Sequence, residues 1–415
     1  MSGCDCHSAH GPALLPVDTA IARMLQALQP VQDRESVALN AALGRILAEP
    51  LVAPLALPGA DNSAMDGFAV RAADLPAEGT ARLPIAQRIV AGQAGTPLAP
   101  GTAARIFTGA PLPPGADTVV MQERCRWDDS HVLISGPGRP GQHIRRRGED
   151  VQEGEPLLDA GRRLQPQDLA LAAALGVDRL SVWRRPRVTI LSTGDELVEP
   201  GQPLAPGQIY GSNRYLLGAL LATLGCEVRD LGIVADTLDA TRAALAAAAD
   251  NADLVISSGG VSVGEEDHVK AAVESLGRLS LWKVAIKPGK PLAFGTVAGT
   301  PFLGLPGNPS SLFVTFLVLA RPLLHRLQGR TPASVHGEWL AADFDWPRPD
   351  PRCEYLRARR VEDGPAVTRV AIHRQQSSGA LAPASWADGL VELAPGQAVR
   401  QGEPVRFLSF AQLLA

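Results

Sequence analysis

The chain has 415 residues, 39 lysines and arginines against 43 acids for a net charge of −4, and 4% aromatic residues. That balance excludes a global positive field for nucleic acid and an extended base-stacking surface. Hydrophobic content of 46% with 20% charge describes an ordinary globular chain, and the length suits about two to four domains, each with its own core.

Residues 1–16 read as a mobile polar tail. Within it Cys4-Asp5-Cys6-His7 with His10 has metal-like spacing, but no second cluster matches it. Val17, Ile21, Met24, Leu25 and Leu28 recur at helical spacing and predict a helix over 17–28. A second helix is predicted over 36–47, completing an all-α entry. From 52 to about 134, prolines and glycines leave short apolar runs such as Arg105-Ile106-Phe107 and Thr118-Val119-Val120-Met121. These predict a small β-rich domain. Residues 140–185 are mixed, with a helix near 165–175.

From 187 to 327 strands and helices alternate. Val188-Thr189-Ile190-Leu191 is a strand, 213–224 a helix ended by Gly225, 226–234 a strand and 238–249 an alanine-rich helix. Asp253-Leu254-Val255-Ile256-Ser257 is a buried strand. Further strands are predicted near 281–286, 292–294 and 302–305, then a helix over 309–327. The pattern predicts a parallel, three-layer α/β domain. Residues 331–415 lack a long helical pattern and predict a second small β domain. The longest apolar run, 312–320, is short of a bilayer span. Cys4, Cys6, Cys125, Cys226 and Cys353 are odd in number and scattered, which predicts reduced thiols. With no basic segment leading into an apolar core, the expectation is a cytoplasmic protein with neither a membrane nor a nucleic-acid partner.

In parallel α/β sheets ligands bind beyond the carboxyl ends of strands. Three such loops carry chemistry: Ser192-Thr193-Gly194-Asp195-Glu196; Ser257-Ser258-Gly259-Gly260 running on to Gly264-Glu265-Glu266-Asp267; and Gly304-Leu305-Pro306-Gly307-Asn308-Pro309-Ser310-Ser311. The second has amides and serines suited to a phosphate. It is neither a P-loop, since Glu265 stands where the lysine belongs, nor a GxGxxG dinucleotide loop. Glu265 and Glu266 suit a solvated helix start; Asp267 suits that or a Mg²⁺ near phosphates. Asn308 is read as a cap with Pro309 at the first helical position, leaving the Ser310 and Ser311 amides free for an anion. Asp195 and Glu196 fit either metal ligands or a turn. Outside this domain, Asp61-Asn62-Ser63-Ala64-Met65-Asp66-Gly67 is a polar loop, and Arg145-Arg146-Arg147-Gly148-Glu149-Asp150 is read as a solvated charge run.

All four lysines, Lys270, Lys283, Lys287 and Lys290, fall between 270 and 290, against 35 arginines. A chain that otherwise uses arginine places compact ammonium charges at Lys283-Val284-Ala285-Ile286-Lys287-Pro288-Gly289-Lys290-Pro291. A small oxyanion pocket suits that choice.

From about residue 17 to 415 these motifs, together with Phe107-Thr108-Gly109-Ala110-Pro111, resemble the molybdopterin molybdenumtransferase family (MoeA, and the E domain of gephyrin and plant Cnx proteins). The resemblance implies four domains: an elongated domain from 17–46 and 140–185, an inserted β-rich domain at 47–139, a molybdopterin-binding α/β domain at 186–330, and a C-terminal β-barrel-like domain at 331–415. It implies insertion of molybdenum from molybdate into adenylylated molybdopterin, with release of AMP and a requirement for Mg²⁺. By the same resemblance Asp66, Thr108, Asp150, Glu196, Asp236 and Asp267 serve catalysis, with Glu196 and Asp267 as metal ligands. Lys287, Lys290, Pro291 and Ser311 line a molybdate pocket, joined by Arg357 and Ser378. The loop residues Ser192, Thr193, Gly194, Asp195, Ser258, Gly259, Gly260, Pro306, Asn308 and Pro309, with Lys283, complete the expected substrate site. It further implies a homodimer whose active site is shared between subunits, with a molybdopterin adenylyltransferase and molybdenum enzymes as partners. His268, where relatives often carry an aromatic residue, departs from the pattern, as does the Cys-rich tail. Two rivals are a molybdopterin adenylyltransferase, usually the α/β domain alone, and a non-enzymatic gephyrin-like scaffold.

Overall fold

The computed structural model describes residues 14–260, 268–331, 335–363 and 366–415. The cluster of Cys4, Cys6, His7 and His10, and the acidic stretch ending at Asp267, lie outside the described residues. The helix Val17–Gln26 buries Val17, Ala20 and Met24, and this stripe enters one core with Val188, Ile190, Leu217 and Leu324. The helix predicted over 36–47 is replaced by a strand, Arg34–Ala38, paired antiparallel with Arg179–Trp183. Only Leu39–Ala42 turns helical. The weak local preference of Glu35-Ser36-Val37 yields to a ladder with a strand far away in sequence. Leu51–Val52 likewise pairs with Pro156–Leu158, so segments on both sides of the β-rich region build one unit.

Between those segments lies a six-stranded sheet. Its order is Thr118–Met121, Gly67–Val70, Ala103–Ile106, Thr80–Ile89, His131–Ser135, Cys125–Trp127. Both faces are apolar: Phe68, Val70, Val132 and Ile134 pack on one side, Ala69, Ile106 and Val119 on the other.

The α/β domain runs β1 (Arg187–Thr193), α1 (Ser212–Thr223), β2 (Glu227–Val234), α2 (Leu238–Ala249), β3 (Leu254–Ser258), α3 (His268–Leu276), β4 (Gly277–Lys283), β5 (Pro291–Val297), β6 (Thr300–Leu305) and α4 (Pro309–Leu327). Strand order is β2-β1-β3-β6-β5-β4. Side-chain alternation sends Val188 and Ile190 into a core with α1 and α4, and Leu191 into a second core with α2 and α3; three layers follow. The sheet is mixed where a wholly parallel one was expected. β2, β1, β3 and β6 are parallel, but β5 and β4 are antiparallel. The turn at Ala298-Gly299, both at positive φ, joins β5 to β6 too tightly for the crossover that a parallel pair requires.

The helix α4 widens to a π turn at Phe316–Ala320, one turn before Pro322, whose ring and missing N–H disturb a regular ladder. Its length and composition would allow it to cross a bilayer, yet 72% of its most apolar window is buried inside the protein; it is a core helix. The strand predicted at 281–286 splits in two. β4 ends at Lys283, and Ile286–Lys287 pairs in parallel with Cys353-Glu354 of the last domain. There, Cys353–Asp363, Ala366–Ile372, Glu338–Ala342, Pro404–Ser409 and Gly389–Leu393 close into a five-stranded ring, the last strand pairing back to the first.

Arg184 ties the entry segment to this α/β domain. Its Nε donates to Asp33 Oδ2 at 3.0 Å, and its two terminal nitrogens donate to Asp253 at 3.0 and 3.1 Å. The guanidinium side chain is 12% exposed. Arg184→Ala is expected to lower stability by about 3 kcal/mol, because it strands a carboxylate in a partly dry site. The urea midpoint measures this, and Arg184→Lys should recover only part of the loss.

Candidate functional site

Strand order reverses about β1: the chain moves to β2 on one side and later to β3 on the other. Such a switch point opens a crevice at the carboxyl ends of the strands. Here it is a cleft of about 430 Å³. Ser192, Thr193, Gly194 and Glu196 line it from β1, Asp236 from β2, and Ser258, Gly259 and Gly260 from β3. Pro306, Asn308, Pro309 and Ser311 line it from β6 and α4, and Pro291 from the start of β5. Ser192 and Ser258, in register on β1 and β3, bond hydroxyl to hydroxyl at 2.7 Å. Thr193 Oγ1 is buried with no partner among the described residues, so the floor offers a polar atom to a ligand. Gly260 has φ +65, and a Cβ there would lie 2.2 Å from Val269 Cγ2. Only glycine lets this loop press onto α3.

Sequence reasoning missed one wall. Gly211, Ser212 and Asn213, at the N-terminus of α1, also line the cleft, with Ile209 and Tyr210 beside them. Asn213 Nδ2 donates to Gly307 O at 2.7 Å, which locks the two loops together. Gly-Ser-Asn before an apolar-periodic run is a helix-start signal, and helix amides facing a cleft form an anion site.

Glu196 and Asp236 face the cleft from adjacent strands. Asp195 does not line it; its Oδ1 accepts from Asp236 N at 3.1 Å and so orients that turn. No group of three or more potential ligands occurs among the described residues. Asp267, the expected third acid, lies outside them. Two hard oxygen donors could serve a hard cation such as Mg²⁺.

The junction with the last domain corrects two expectations. The Ser310 and Ser311 amides, predicted to be free, both donate to Ser378 O at 3.0 and 3.3 Å. Asn308 stands at the N-cap with Pro309 at the first helical position, as expected, but its side chain makes no capping bond; its Nδ2 donates to Ser378 Oγ at 3.1 Å. Lys287, expected to present a bare charge, ion-pairs with Glu354 at 2.9 Å and Asp350 at 3.2 Å. Burial alone would depress its pKa, but Glu354 and then Asp350 outweigh that and raise it. The ammonium of Lys290 is exposed and has no ion pair among the described residues, and Lys283 is half-buried at the end of β4. The turn between Lys287 and Lys290 needs Gly289, at φ +118, because a Cβ would lie 2.3 Å from Thr315 Cγ2. Arg357 is fully buried with no carboxylate partner among the described residues. It donates to Tyr355 O at 3.2 Å and Ser377 O at 3.4 Å; burial depresses its pKa to about 10. An uncompensated buried guanidinium is costly and is a candidate anion receptor. Asn308 and Ser311 border both the cleft and Ser378, so cleft and junction share a wall.

A third cluster lies in the β-rich domain. Asp66 Oδ1 accepts from Thr108 N at 2.8 Å and Thr108 Oγ1 at 2.9 Å. The amide first, then the hydroxyl, holds the Asp66 carboxyl below its ordinary pKa. Asp61 accepts from Arg146 Nη1 at 2.6 Å and Arg147 N at 2.8 Å, so the basic run is exposed but also fastens the two polar loops together. Asp150 N donates to Leu57 O at 3.0 Å. None of Asp66, Thr108 and Asp150 lines the cleft.

Known proteins share this arrangement. Residues 15–176 match the family model of the MoeA N-terminal region (domain I and II), 189–326 that of a probable molybdopterin binding domain, and 340–410 that of the MoeA C-terminal region (domain IV). A molybdopterin molybdenumtransferase of Haemophilus influenzae is 46% identical over 319 residues, covering 76% of this chain and 78% of the relative. One of Bacillus subtilis is 36% identical over 383 residues, covering 89% of each. A crystal structure of a molybdopterin biosynthesis MoeA protein from Pyrococcus horikoshii superposes with a TM-score of 0.82 at 32% identity, over 96% of this chain and 99% of that one.

Lys287→Met removes the cation beside Glu354, which is 1% exposed. The expected loss is about 2 kcal/mol, reduced from the fully buried case because the lysine side chain itself is partly solvated. Adding Glu354→Gln should restore the urea midpoint. A double variant no more stable than Lys287→Met would remove the clamp role.

Proposed function

Because the chain belongs to the molybdopterin molybdenumtransferase family, enzymes of molybdenum cofactor biosynthesis, we propose that it inserts molybdenum from molybdate into adenylylated molybdopterin and releases AMP. The observation that carries the reading is the shared wall. A cleft rich in amides and hydroxyls, suited to a phosphorylated pterin, shares Asn308 and Ser311 with the contact to Ser378, and the preceding Ser377 carbonyl accepts from the buried Arg357 guanidinium. Molybdate is a small dianion. Arg357, Lys290 and the Ser311 hydroxyl offer it charge and donors, while Pro291 separates Lys290 from the cleft. The Ser192, Thr193 and Ser258 hydroxyls, with the Gly259-Gly260 loop and the start of α1, hold the pterin and its phosphates. Glu196 and Asp236, with Asp267, would hold Mg²⁺, which when bound neutralises charge on the departing nucleotide phosphate. Metal–ligand exchange needs little proton transfer, so no nucleophilic His or Cys is required.

Asp66, Thr108 and Asp150 act, in this reading, on the cleft of a partner subunit in a homodimer. Two observations support it: these residues do not line the cleft of their own chain, and the cleft wall exposes the large side chains of Ile209 and Tyr210, which suit coverage by protein. A molybdopterin adenylyltransferase would supply the substrate, and molybdenum enzymes would receive the product. The rival adenylyltransferase activity leaves the other domains without a role.

The direct test mixes the purified protein with adenylylated molybdopterin, molybdate and Mg²⁺. AMP release that requires molybdate is expected; AMP formed from ATP and molybdopterin instead would favour the rival. Lys290→Arg should raise the molybdate concentration needed for half-maximal rate roughly ten-fold, since a planar fork does not replace a compact charge, while adenylylated molybdopterin still binds.

Sharing of the site is tested by a mixed dimer of Asp66→Ala and Lys290→Ala subunits, purified through two tags. Trans complementation leaves one intact site, so about half of wild-type activity per dimer is expected although both parents are inactive. A mixed dimer no more active than its parents would assign Asp66 to its own chain's cleft.

A further inference from the structure

The Asp66–Thr108 bond joins two loops but does not by itself set where the pair sits. Asp66 precedes the strand Gly67–Val70, and Thr108 lies just beyond the strand Ala103–Ile106. One side chain touches the surroundings of both. Arg105 is in register with Phe68 on one neighbouring strand and with Arg88 on the other. Its Nη1 donates to Gly67 O at 3.0 Å, fixing the Gly67–Phe68 peptide one residue beyond Asp66. Its Nη2 donates to Gln122 Oε1 at 2.6 Å, and Gln122 N in turn donates to Asp66 O at 2.9 Å. Its guanidinium carbon lies 4.8 Å from the ring centroid of Phe107, the residue before Thr108. The same carbon is 5.0 Å from Phe68 and 5.1 Å from Trp127.

We propose that Arg105 is a positioning residue for the proposed reaction, a clasp that holds Asp66 and Thr108 in one place by bonding the backbone after the first and stacking on the ring before the second. The proposal rests on the reading of that pair as part of the shared site. Arginine alone suits the task. Its plane stacks on Phe107 and Phe68 while its edge donates in two directions; a lysine can do one or the other. Arg88 provides an internal contrast. Its guanidinium carbon lies 4.7 Å from the centroid of the same Phe107 ring, but it makes no hydrogen bond to Gly67 or Gln122 among the described residues.

The test compares Arg105→Gln, Arg105→Lys and Arg88→Gln in the full-length protein by two readouts. The first is hydrogen exchange of the Thr108 amide, which bonds Asp66. The second is turnover, separated into kcat and the KM for molybdate. Both Arg105 variants should exchange the Thr108 amide about ten-fold faster. Their kcat should fall on the order of 100-fold, as misplacement of an acting group does, with KM unchanged. Arg88→Gln should match wild type in both. Wild-type exchange at Thr108 in the Arg105 variants, or an Arg88→Gln effect equal to that of Arg105→Gln, would overturn the clasp. Full rescue by Arg105→Lys would do the same. A urea midpoint for each variant separates misplacement from a loss of folded protein. Amide exchange decides the clasp without reference to activity, whereas Asp66→Ala turnover decides the reading on which its catalytic meaning rests.

Discussion

Two backbone amides at the start of a core helix, donating to the carbonyl of Ser378, hold the working parts of this protein together. Helix α4 is the spine of the largest core, where Leu312, Phe316, Leu319 and Leu323 meet both the entry helix and the central sheet. Its first turn borders the cleft. Its amides are the positive end of the helix dipole, and the last domain supplies the oxygen that satisfies them. Strand Ile286–Lys287, paired with Cys353-Glu354, makes a second seam nearby. The lysine turn, the buried Arg357 and the cleft wall are therefore referenced to one another through backbone bonds, which are stiffer than side-chain contacts.

The use of cations follows from that geometry. Several arginines that fasten one element to another have carboxylate partners: Arg184 with Asp33 and Asp253, Arg162 with Asp168, Arg214 with Asp230. Each exploits a planar fork with several donors. Around the cleft the pattern differs. Lys287 is neutralised by two acids of the last domain. Among the described residues, the buried guanidinium of Arg357 donates only to carbonyl oxygens. Strong pairing builds the frame, and an incompletely paired cation next to it is what a small dianion would find.

The elements with strong local signals were legible in the chain. Residues 187–327 show alternating strand and helix periods, and Ser192-Thr193-Gly194, Ser258-Gly259-Gly260 and Pro306-Gly307-Asn308-Pro309 stand at strand ends, where switch-point topology makes them converge. The helix over 17–28 was readable from its apolar spacing, though not that its buried stripe would complete the α/β core. The motifs resembling molybdopterin molybdenumtransferases carried the family, and the family models matched over 15–176, 189–326 and 340–410 bear it out. What failed was information held by distant partners. Residues 34–38 became a strand because 179–183 lies beside them, and 286–287 left the central sheet because 353–354 offered an edge.

The sequence by itself thus determined the element types where apolar period is strong and the set of loops that carry chemistry. Periodicity, backbone conformation and strand-end position are local or topological properties, written in adjacent residues. Only the tertiary structure decided which polar groups are satisfied by which. It placed Ser378 on the amides of α4, Glu354 against Lys287, and Asn213 across the cleft at Gly307, and it kept Asp66 and Thr108 away from the cleft of their own chain. Hydrogen bonds and ion pairs between remote segments depend on distance and direction to within fractions of an ångström, and a linear string of residues carries neither.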